Sequence, residues 1–160
     1  MASTNYTTLS TTSLAAAKQV HDTPSLSTDT DSETTEQKPI YMLNLLRFRP
    51  IALYPSSSTS PLSPTNPSST QPLTGQAAYH TLYIPSLQPI MASLDAKLIF
   101  FGKAYPGLVG PEREKWDEVG LVRYKSVGDF EGMIGSERYK KECEAHRVAS
   151  LEEMKANLEE

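Results

Sequence analysis

The sequence contains a single cysteine, Cys143, and three histidines that lie far apart along the chain. A lone thiol cannot form an intramolecular disulfide or a zinc site built from several cysteines, and it is typical of a reducing compartment. The histidines have neither the H-x-H nor the H-E-x-x-H spacing of metal ligands, and the chain has no G-x-G-x-x-G or P-loop sequence. The sequence therefore predicts no metal ion and no cofactor.

Clustered positive charge and long apolar runs are also missing. The formal net charge is −4 and the isoelectric point is about 5.4, which argues against a general nucleic-acid-binding protein. No apolar run reaches the ~20 residues of a transmembrane helix, so no membrane partner is expected. The N-terminus has no apolar segment of the secretory type. We expect a cytoplasmic protein, with a mitochondrial transit peptide as the alternative because the first 21 residues contain no acid.

Composition divides the chain into a tail, a domain and an inserted loop. Residues 1–39 contain sixteen Ser or Thr and few large apolar residues, which is typical of a disordered tail. Sixteen of the twenty residues in 55–74 are Pro, Ser or Thr, which predicts an exposed loop inserted into the domain. The rest of 40–154 is long enough for one small folded domain. Residues 155–160 are expected to be helical or frayed.

The spacing of apolar residues predicts the element order β-α-β-β-α, which is typical of an α+β sandwich with helices on one face of a mostly antiparallel sheet. We predict strands over three segments: Ile40–Phe48, Lys97–Ala104 and Trp116–Lys125. The first helix should begin at Gly75 and kink or break near Ile84, because prolines follow at two positions. Later helices are expected to begin near Ser126, where a capping-box-like sequence occurs, and near Glu137.

All three predicted strands carry apolar residues on both faces; in the second, Leu98 and Phe100 are expected on one face and Ile99 and Phe101 on the other. The predicted helices, however, can cover only one face of a sheet. The other face needs a second apolar surface, and the same face of a second copy is the simplest candidate. Closed symmetric pairs are also the commonest oligomers. The sequence therefore predicts a homodimer.

Four sequence blocks carry a resemblance to a known group of proteins. They are "YMLNLLRFRP", "GQAAYHTLYIPSLQPI", "WDEVGLVRYKSVGDFEGMI" and "SERYKKECEAHRVASLEEM". Their order and spacing, over roughly residues 40–154 without the insertion, resemble a small family of unknown function in the dimeric α/β-barrel (ferredoxin-like) superfamily. That superfamily includes antibiotic-biosynthesis-monooxygenase, EthD-like and muconolactone-isomerase-like proteins. The resemblance implies a ferredoxin-like fold and a cofactor-independent site that holds a hydrophobic or aromatic small molecule between sheet and helices.

The C-terminus departs from this pattern. The superfamily's fold normally ends with a fourth strand after the last helix, but "LEEMKANLEE" (151–160) has the composition of a helix. We therefore expect the fourth strand to be short or missing.

Three polar residues are the candidates for catalysis. Asn44 shares the parity of apolar strand neighbours, so it is either a polar anchor in a ligand cavity or hydrogen-bonded to a loop or across the dimer. Arg123 alternates with apolar residues near the start of the first strand, so it is either a clamp for an anionic ligand or part of an intersubunit salt bridge. The spacing of Tyr139, Cys143, His146 and Ser150 predicts that they share one face of the last helix. Nothing activates Cys143 as a nucleophile there, and His146 is the candidate for acid–base chemistry.

Four further residues are candidates for substrate binding. Tyr79 and Tyr83 lie one turn apart on the buried face of the first helix, where they either fill the core or shape a cavity. His80 flanks that face and is either a base or an exposed side chain. Arg47 lies on the opposite strand face from Asn44 and is expected near Asp117 or Glu118, as a rim ion pair or a binder of a substrate carboxylate.

Two functions are open at this point. One is a small cofactor-independent enzyme acting on a hydrophobic, aromatic or polyketide-like molecule by cyclisation, isomerisation, dehydration or oxygenation. The other is a non-catalytic homodimer that binds a small molecule or has only a structural role. An enclosed pocket with a titratable group facing it would favour the enzyme.

Overall fold

A computed structural model of the protein describes residues 38–54, 72–105 and 114–159, with no description of the side chains of residues 153 and 155–159. The predicted N-terminal tail and most of the Pro/Ser/Thr-rich insertion lie outside these residues. The described chain forms an α+β fold in which three helices pack against a four-stranded antiparallel sheet.

The four strands are arranged in the order β2-β3-β1-β4. They span β1 Ile40–Phe48, β2 Lys97–Lys103, β3 Glu118–Tyr124 and β4 Leu151–Glu159. Strand β1 lies in the interior of the sheet, between β3 and β4, and pairs antiparallel with both. The prediction of β1 is confirmed, and β2 and β3 are slightly shorter than expected.

The fourth strand corrects the expectation that the C-terminus is helical or frayed. Residues 151–159 pair with β1 along its whole length, from Leu151 beside Phe48 to Glu159 beside Tyr41. The N–H and C=O groups on the free edge of β1 need partners, and pairing with this segment supplies them. A tertiary contact of this size overrides the helix propensity of the glutamates and lysine in the segment.

Three helices lie on one face of the sheet. Helix α1 consists of an α-helical turn Gly75–Ala78, a π-helical segment Tyr79–Tyr83 and an α-helix Ile84–Ser93. Helix α2 is Val127–Gly135, and helix α3 combines Glu137–Tyr139, a π-helical segment Lys140–Glu144 and Ala145–Ser150. Side chains cap the starts of all three: Thr74, Ser126 and Ser136 each accept a hydrogen bond from a backbone N–H three residues on.

The prolines of α1 predicted a kink or break near Ile84, but the helix does not break there. Instead the chain widens into the π-helical segment, and the N–H of Ile84 donates to the carbonyl of Tyr79, five residues back. This wider turn comes directly before Pro85, which has no N–H to donate to the preceding turn. Pro89 is accommodated inside the helix that follows.

The core lies between the helices and one face of the sheet. Along β1, alternate residues from Ile40 to Phe48 are buried, and the residues between them are only partly covered. The buried set packs against tyrosines of α1 and α3 and against the apolar face of α2. The opposite face of the sheet has no helix among the described residues.

Strand β2 is irregular at its centre. Its pairing with β3 shifts between Leu98 and Phe100, so that Leu98 lies beside Val122 whereas Phe100 lies beside Leu121. The two residues therefore point to opposite faces, and the expectation that they share one face is wrong. The extra residue at Ile99 forms a β-bulge, and all three apolar side chains are about half exposed.

Candidate functional site

The carboxylate of Glu118 lies buried at the start of β3 and holds two side chains of α1. Gln76 Nε2 donates to Glu118 Oε1 at 2.7 Å. His80 Nε2 lies 2.9 Å from Oε2 and 3.1 Å from Oε1 of the same carboxylate. A buried carboxylate is stable only with such partners, because burial without them disfavours the charge.

The local fold explains why these residues meet. Glu118 pairs with Leu46 across the sheet, so its side chain points to the helix-covered face. Gln76 and His80 are four residues apart, one turn along α1, and therefore point in a similar direction. Gly75 brings the start of α1 close to the sheet, since its N–H donates to the carbonyl of Arg49 at 2.9 Å.

Aromatic rings surround the imidazole of His80. Its centroid lies 5.6 Å from that of Phe101, 6.1 Å from Tyr79 and 6.2 Å from Phe48, in tilted or edge-on arrangements. The His80 side chain is 38% exposed, so the ring combines an apolar setting with contact to solvent. Such a ring can exchange a proton with solution while its orientation is fixed by packing.

A pocket of about 470 Å³ adjoins this cluster. It lies where the end of β1, the end of β2 and the start of β3 meet the first turn of α1, and it is lined by Phe48, Arg49, Pro50, Thr74, Gln76, Lys103, Ala104, Trp116, Asp117 and Glu118. The lining combines aromatic surface with charges of both signs. Gln76 and Glu118 of the cluster belong to this lining, whereas His80 does not, and the volume is sufficient for a small molecule.

The hydrogen bond to Glu118 determines what His80 can do. In the neutral imidazole, Nε2 carries the hydrogen that it donates to the carboxylate, which leaves Nδ1 as an acceptor. A carboxylate in this position also fixes the orientation of the imidazole ring. The pair therefore has the components of a general base whose proton can be returned.

Tyr79 and Tyr83 lie inside the core, where the buried-face prediction placed them. Each is 7% exposed, their ring centroids are 4.8 Å apart, and the hydroxyl of Tyr83 lies 3.5 Å from that of Tyr139. Burial raises the pKa of both phenols, and the neighbouring Tyr139 raises it further. They are neutral hydrogen-bonding groups at physiological pH.

Asn44 is buried on the helix-covered face, and its amide is used by the sheet itself. Its Nδ2 donates to the carbonyl of Met42 at 3.1 Å, with a longer contact of 3.5 Å to the carbonyl of Gly120. Gly120 faces it across the β1–β3 pair and leaves the amide room. The hydrogen-bond partners of Asn44 are therefore backbone carbonyls of the sheet, and not the loop or second subunit that the sequence suggested.

Arg123 lies on the opposite face of the sheet from Asn44. It pairs with Tyr41 of β1, as the sequence predicted, and with Lys97 of β2. Its side chain is therefore on the face without helices. Asn44 and Arg123 do not meet in one site within the described chain.

Arg47 shares the helix-free face. Its Nε lies 3.6 Å from Glu152 Oε2 at the start of β4. The expected partner Glu118 points to the other face, and Asp117 Oδ2 accepts the backbone N–H of Phe48 at 2.7 Å. Arg47 thus has an ion-pair partner at the start of β4, a strand that the sequence analysis did not predict.

His146 on α3 is held by a residue that precedes the insertion. Tyr54 Oη lies 2.9 Å from His146 Nδ1, with the two rings edge-on. Partial burial lowers the pKa of His146, which favours the neutral ring that accepts from the phenol. The pair is separate from the cluster around Glu118, so the three predicted catalytic residues are distributed over three places.

The predicted face of α3 needs one correction. Tyr139, Cys143 and Ser150 are buried as expected, but the residues buried between the last two are Arg147 and Ala149, and His146 is only partly covered. The π-helical segment adds a residue to the turn and shifts the face by one position. Burial raises the pKa of the Cys143 thiol, and nearby Glu142 adds to the rise, so the thiolate nucleophile is disfavoured.

Neither a metal site nor a membrane-spanning helix is found among the described residues. They contain no group of three or more His, Cys, Asp or Glu side chains placed to hold a metal ion. No helix among them is long and apolar enough to span a membrane.

Sequence reasoning underrated Glu118 and did not consider Gln76. Glu118 was placed only as a rim partner for Arg47, although it alternates with Gly120 and Tyr124 on what proves to be the buried face. An acid at a buried parity of a strand is a signal that could have been followed. The i, i+4 spacing of Gln76 and His80 was the second signal.

The chain is similar to a solved protein of unknown function, RPA0582 from Rhodopseudomonas palustris. Its crystal structure matches with a TM-score of 0.70 and 28% sequence identity, over 98% of this chain and 96% of that one. The crystal structure of methylated RPA0582 gives a TM-score of 0.71 and 26% identity over 99% and 96%. No family model and no curated protein matches the chain. The two proteins are similar in fold, and the function of RPA0582 is itself unknown.

Proposed function

We propose that this protein is a small cofactor-independent enzyme that transfers a proton on a hydrophobic or aromatic small molecule, with His80 as the acid–base residue. The observation that supports this proposal is the contact between His80 and Glu118, whose carboxylate also accepts a hydrogen bond from Gln76. Isomerisation, cyclisation and dehydration all need such a transfer. This places the chemistry on His80, and not on the earlier candidates His146, Asn44 and Arg123.

The proposed reaction needs no reactant other than the substrate and His80, because the proton that is removed is also returned. Nδ1 of His80 takes a proton from an acidic C–H of the substrate, and the electron pair left on carbon is delocalised into the neighbouring carbonyl as an enolate. The imidazolium, facing the Glu118 carboxylate, then returns the proton at another atom. Glu118 and Gln76 are positioning residues, because they act through the histidine.

The strand order supports a finer description of the fold. Read from the other edge, the sheet is β4-β1-β3-β2 with every neighbour antiparallel. This is the order of the ferredoxin-like fold that the sequence resemblance implied. We propose that the chain belongs to this fold and pairs into a dimeric α/β barrel.

The helix-free face of the sheet supports the homodimer. Leu43, Leu45, Val119 and Leu121 lie on it with partly covered side chains, and Phe100 adds a half-exposed ring beside Leu121. A contiguous apolar face is costly to leave in water. The same face of a second copy offers a matched apolar surface, with Arg123 and Lys97 near its rim.

Solvent-hydrogen exchange tests the proposed chemistry without knowledge of the natural substrate. Phenylacetone, an apolar ketone with acidic C–H groups, is incubated with the protein in D₂O and followed by NMR. We expect the native protein to accelerate deuterium uptake above the buffer rate, His80→Gln to abolish the acceleration and Glu118→Gln to reduce it. His146→Gln serves as the control and should exchange like the native protein. Equal rates for the native protein and His80→Gln would contradict the proposal.

A non-catalytic binding protein is the second candidate. The same contact between His80 and Glu118 is a stabilising ion pair when the imidazole is protonated, and the pocket then only holds a molecule. This candidate predicts that phenylacetone binds without exchange, and that His80→Gln lowers the melting temperature.

A further inference from the structure

Arg147 is a buried cation whose neighbours do not neutralise it. The residue is 8% exposed on the inner face of α3. Its Nε has no hydrogen-bond partner, and its Nη1 contacts the sulfur of Met154 at 3.7 Å, a weak acceptor. No carboxylate among the described residues lies within ion-pair distance of it. Buried charges are ordinarily paired, because an isolated one is strongly destabilising.

The groups around Arg147 are suited to an anion with an apolar body. Arg147 donates to the sulfur of Met154, and Met154 packs against the core cluster that contains Tyr79 and Tyr83. Both phenols can donate a hydrogen bond to an anionic oxygen, and their rings offer flat apolar surface. A planar guanidinium whose Nε has no hydrogen-bond partner can donate to an oxygen of a carboxylate.

Tyr79, one of these tyrosines, lies directly behind an aromatic residue that lines the pocket. Phe48 lines the pocket and packs edge-on against Tyr79, with ring centroids 5.4 Å apart. Tyr79 precedes His80 on the same π-helical segment. A ligand oxygen at Arg147 would therefore lie on the inner side of the aromatic wall that also contacts the proposed base.

We propose that Arg147, with the hydroxyls of Tyr79 and Tyr83, forms an interior binding site for the carboxylate of a small apolar acid. The inference deepens the proposed function, on which it rests, by giving the substrate an acidic group. It also explains why α3 keeps a cation at a position where an apolar side chain would pack without an unpaired charge.

Benzoate is the probe, and benzamide is its neutral counterpart of almost the same shape. The melting temperature of the native chain is measured with increasing amounts of each. We expect benzoate to raise it in a saturable way and benzamide to have little effect. Arg147→Met should lose the benzoate shift, with an apparent Kd at least about tenfold weaker, which is what loss of a charge-assisted hydrogen bond produces. Tyr83→Phe should weaken the shift to a smaller degree.

The stability of Arg147→Met without ligand is the second readout. Because no described carboxylate pairs with this charge in the free protein, methionine should leave the melting temperature unchanged or raise it. A large decrease, restored by Arg147→Lys, would reveal a structural ion pair and overturn the proposal. Equal shifts with benzoate and benzamide in the native chain would overturn it as well. Retained benzoate binding in His80→Gln separates this site from the proposed chemistry, since a failure of exchange would then leave the anion site standing.

Discussion

Replacement of Gly75 by alanine tests how the fold positions the Glu118 cluster. Gly75 lies at the junction of three elements, where the end of β1, the start of α1 and the end of α3 approach one another. A Cβ built on it would overlap the carbonyl oxygen of Ser150 and would lie 2.7 Å from both the N and O atoms of Arg49. All three are backbone atoms, so no side-chain rotation relieves the contact.

The expected magnitude follows from the bonds at this junction. The N–H of Arg49 donates to the carbonyl of Ser150, and the N–H of Gly75 donates to the carbonyl of Arg49, each at 2.9 Å. Overpacking costs about 1–3 kcal/mol, and lengthening these two hydrogen bonds costs about 1 kcal/mol each. We therefore expect Gly75→Ala to lower the free energy of unfolding by about 3–5 kcal/mol, a large share of the stability of a small domain.

Gly132→Ala is the matched control. Gly132 lies inside α2 with an exposed position, and a Cβ there would meet nothing within 4 Å. The same change of residue should stabilise the protein by about 0.5–1 kcal/mol, because alanine favours the helix over glycine. Urea unfolding of the two variants should thus move the midpoint in opposite directions.

Two results would refute this reasoning. Gly75→Ala as stable as the native protein would mean that the three elements do not approach as described. A destabilised Gly75→Ala that exchanged phenylacetone normally would mean that the junction does not position Gln76, which follows it directly, against Glu118.

The remaining predictions concern pH and assembly. Partial burial lowers the pKa of His146 below its ordinary 6.5, so the unfolded chain binds a proton at this residue more tightly than the folded chain does. The stabilising contribution of the neutral His146 is therefore present above about pH 6.5 and is lost as the pH falls through that value. The melting temperature should therefore drop between about pH 7.5 and about pH 5.5, and drop less in His146→Gln; an equal drop in both would contradict this account. For the helix-free face, Leu121→Lys should convert a dimer to a monomer in light scattering, whereas Val148→Lys, which adds the same charge at an exposed apolar position of α3, should not. A native protein of monomer mass would rule out the homodimer.

Local signals in the sequence predicted most of the elements. Strand β1 was predicted from its apolar run and the start of α2 from its capping-box-like sequence, and these are short-range effects. Strand β4 could not be recognised in this way. Its residues favour a helix in isolation, and it is a strand because β1 offers an unpaired edge far away in the sequence.

The faces of the elements were harder to predict than their limits. A single extra residue changes the phase of every side chain after it, and the described residues contain four such places: the bulge at Ile99 in β2, the register shift where β4 pairs with the end of β1, and the π-helical segments of α1 and α3. The last of these places Arg147 inside the core and moves His146 towards its margin. Periodicity arguments assume a constant phase, so they fail after each insertion.

The candidate site depends on one of these insertions. Thr81 Oγ1 bonds the carbonyl of Ala77 at 2.7 Å, four residues back, while the N–H of Ile84 reaches five residues back. Between these two bonds the helix presents Tyr79 and Tyr83 to the core and His80 to Glu118. A regular helix at the same position would turn His80 relative to one of its two groups of partners. The π-helical segment thus lets one turn of α1 serve both the aromatic core and the proposed base, which is a reason for the protein to retain a less stable helical form here.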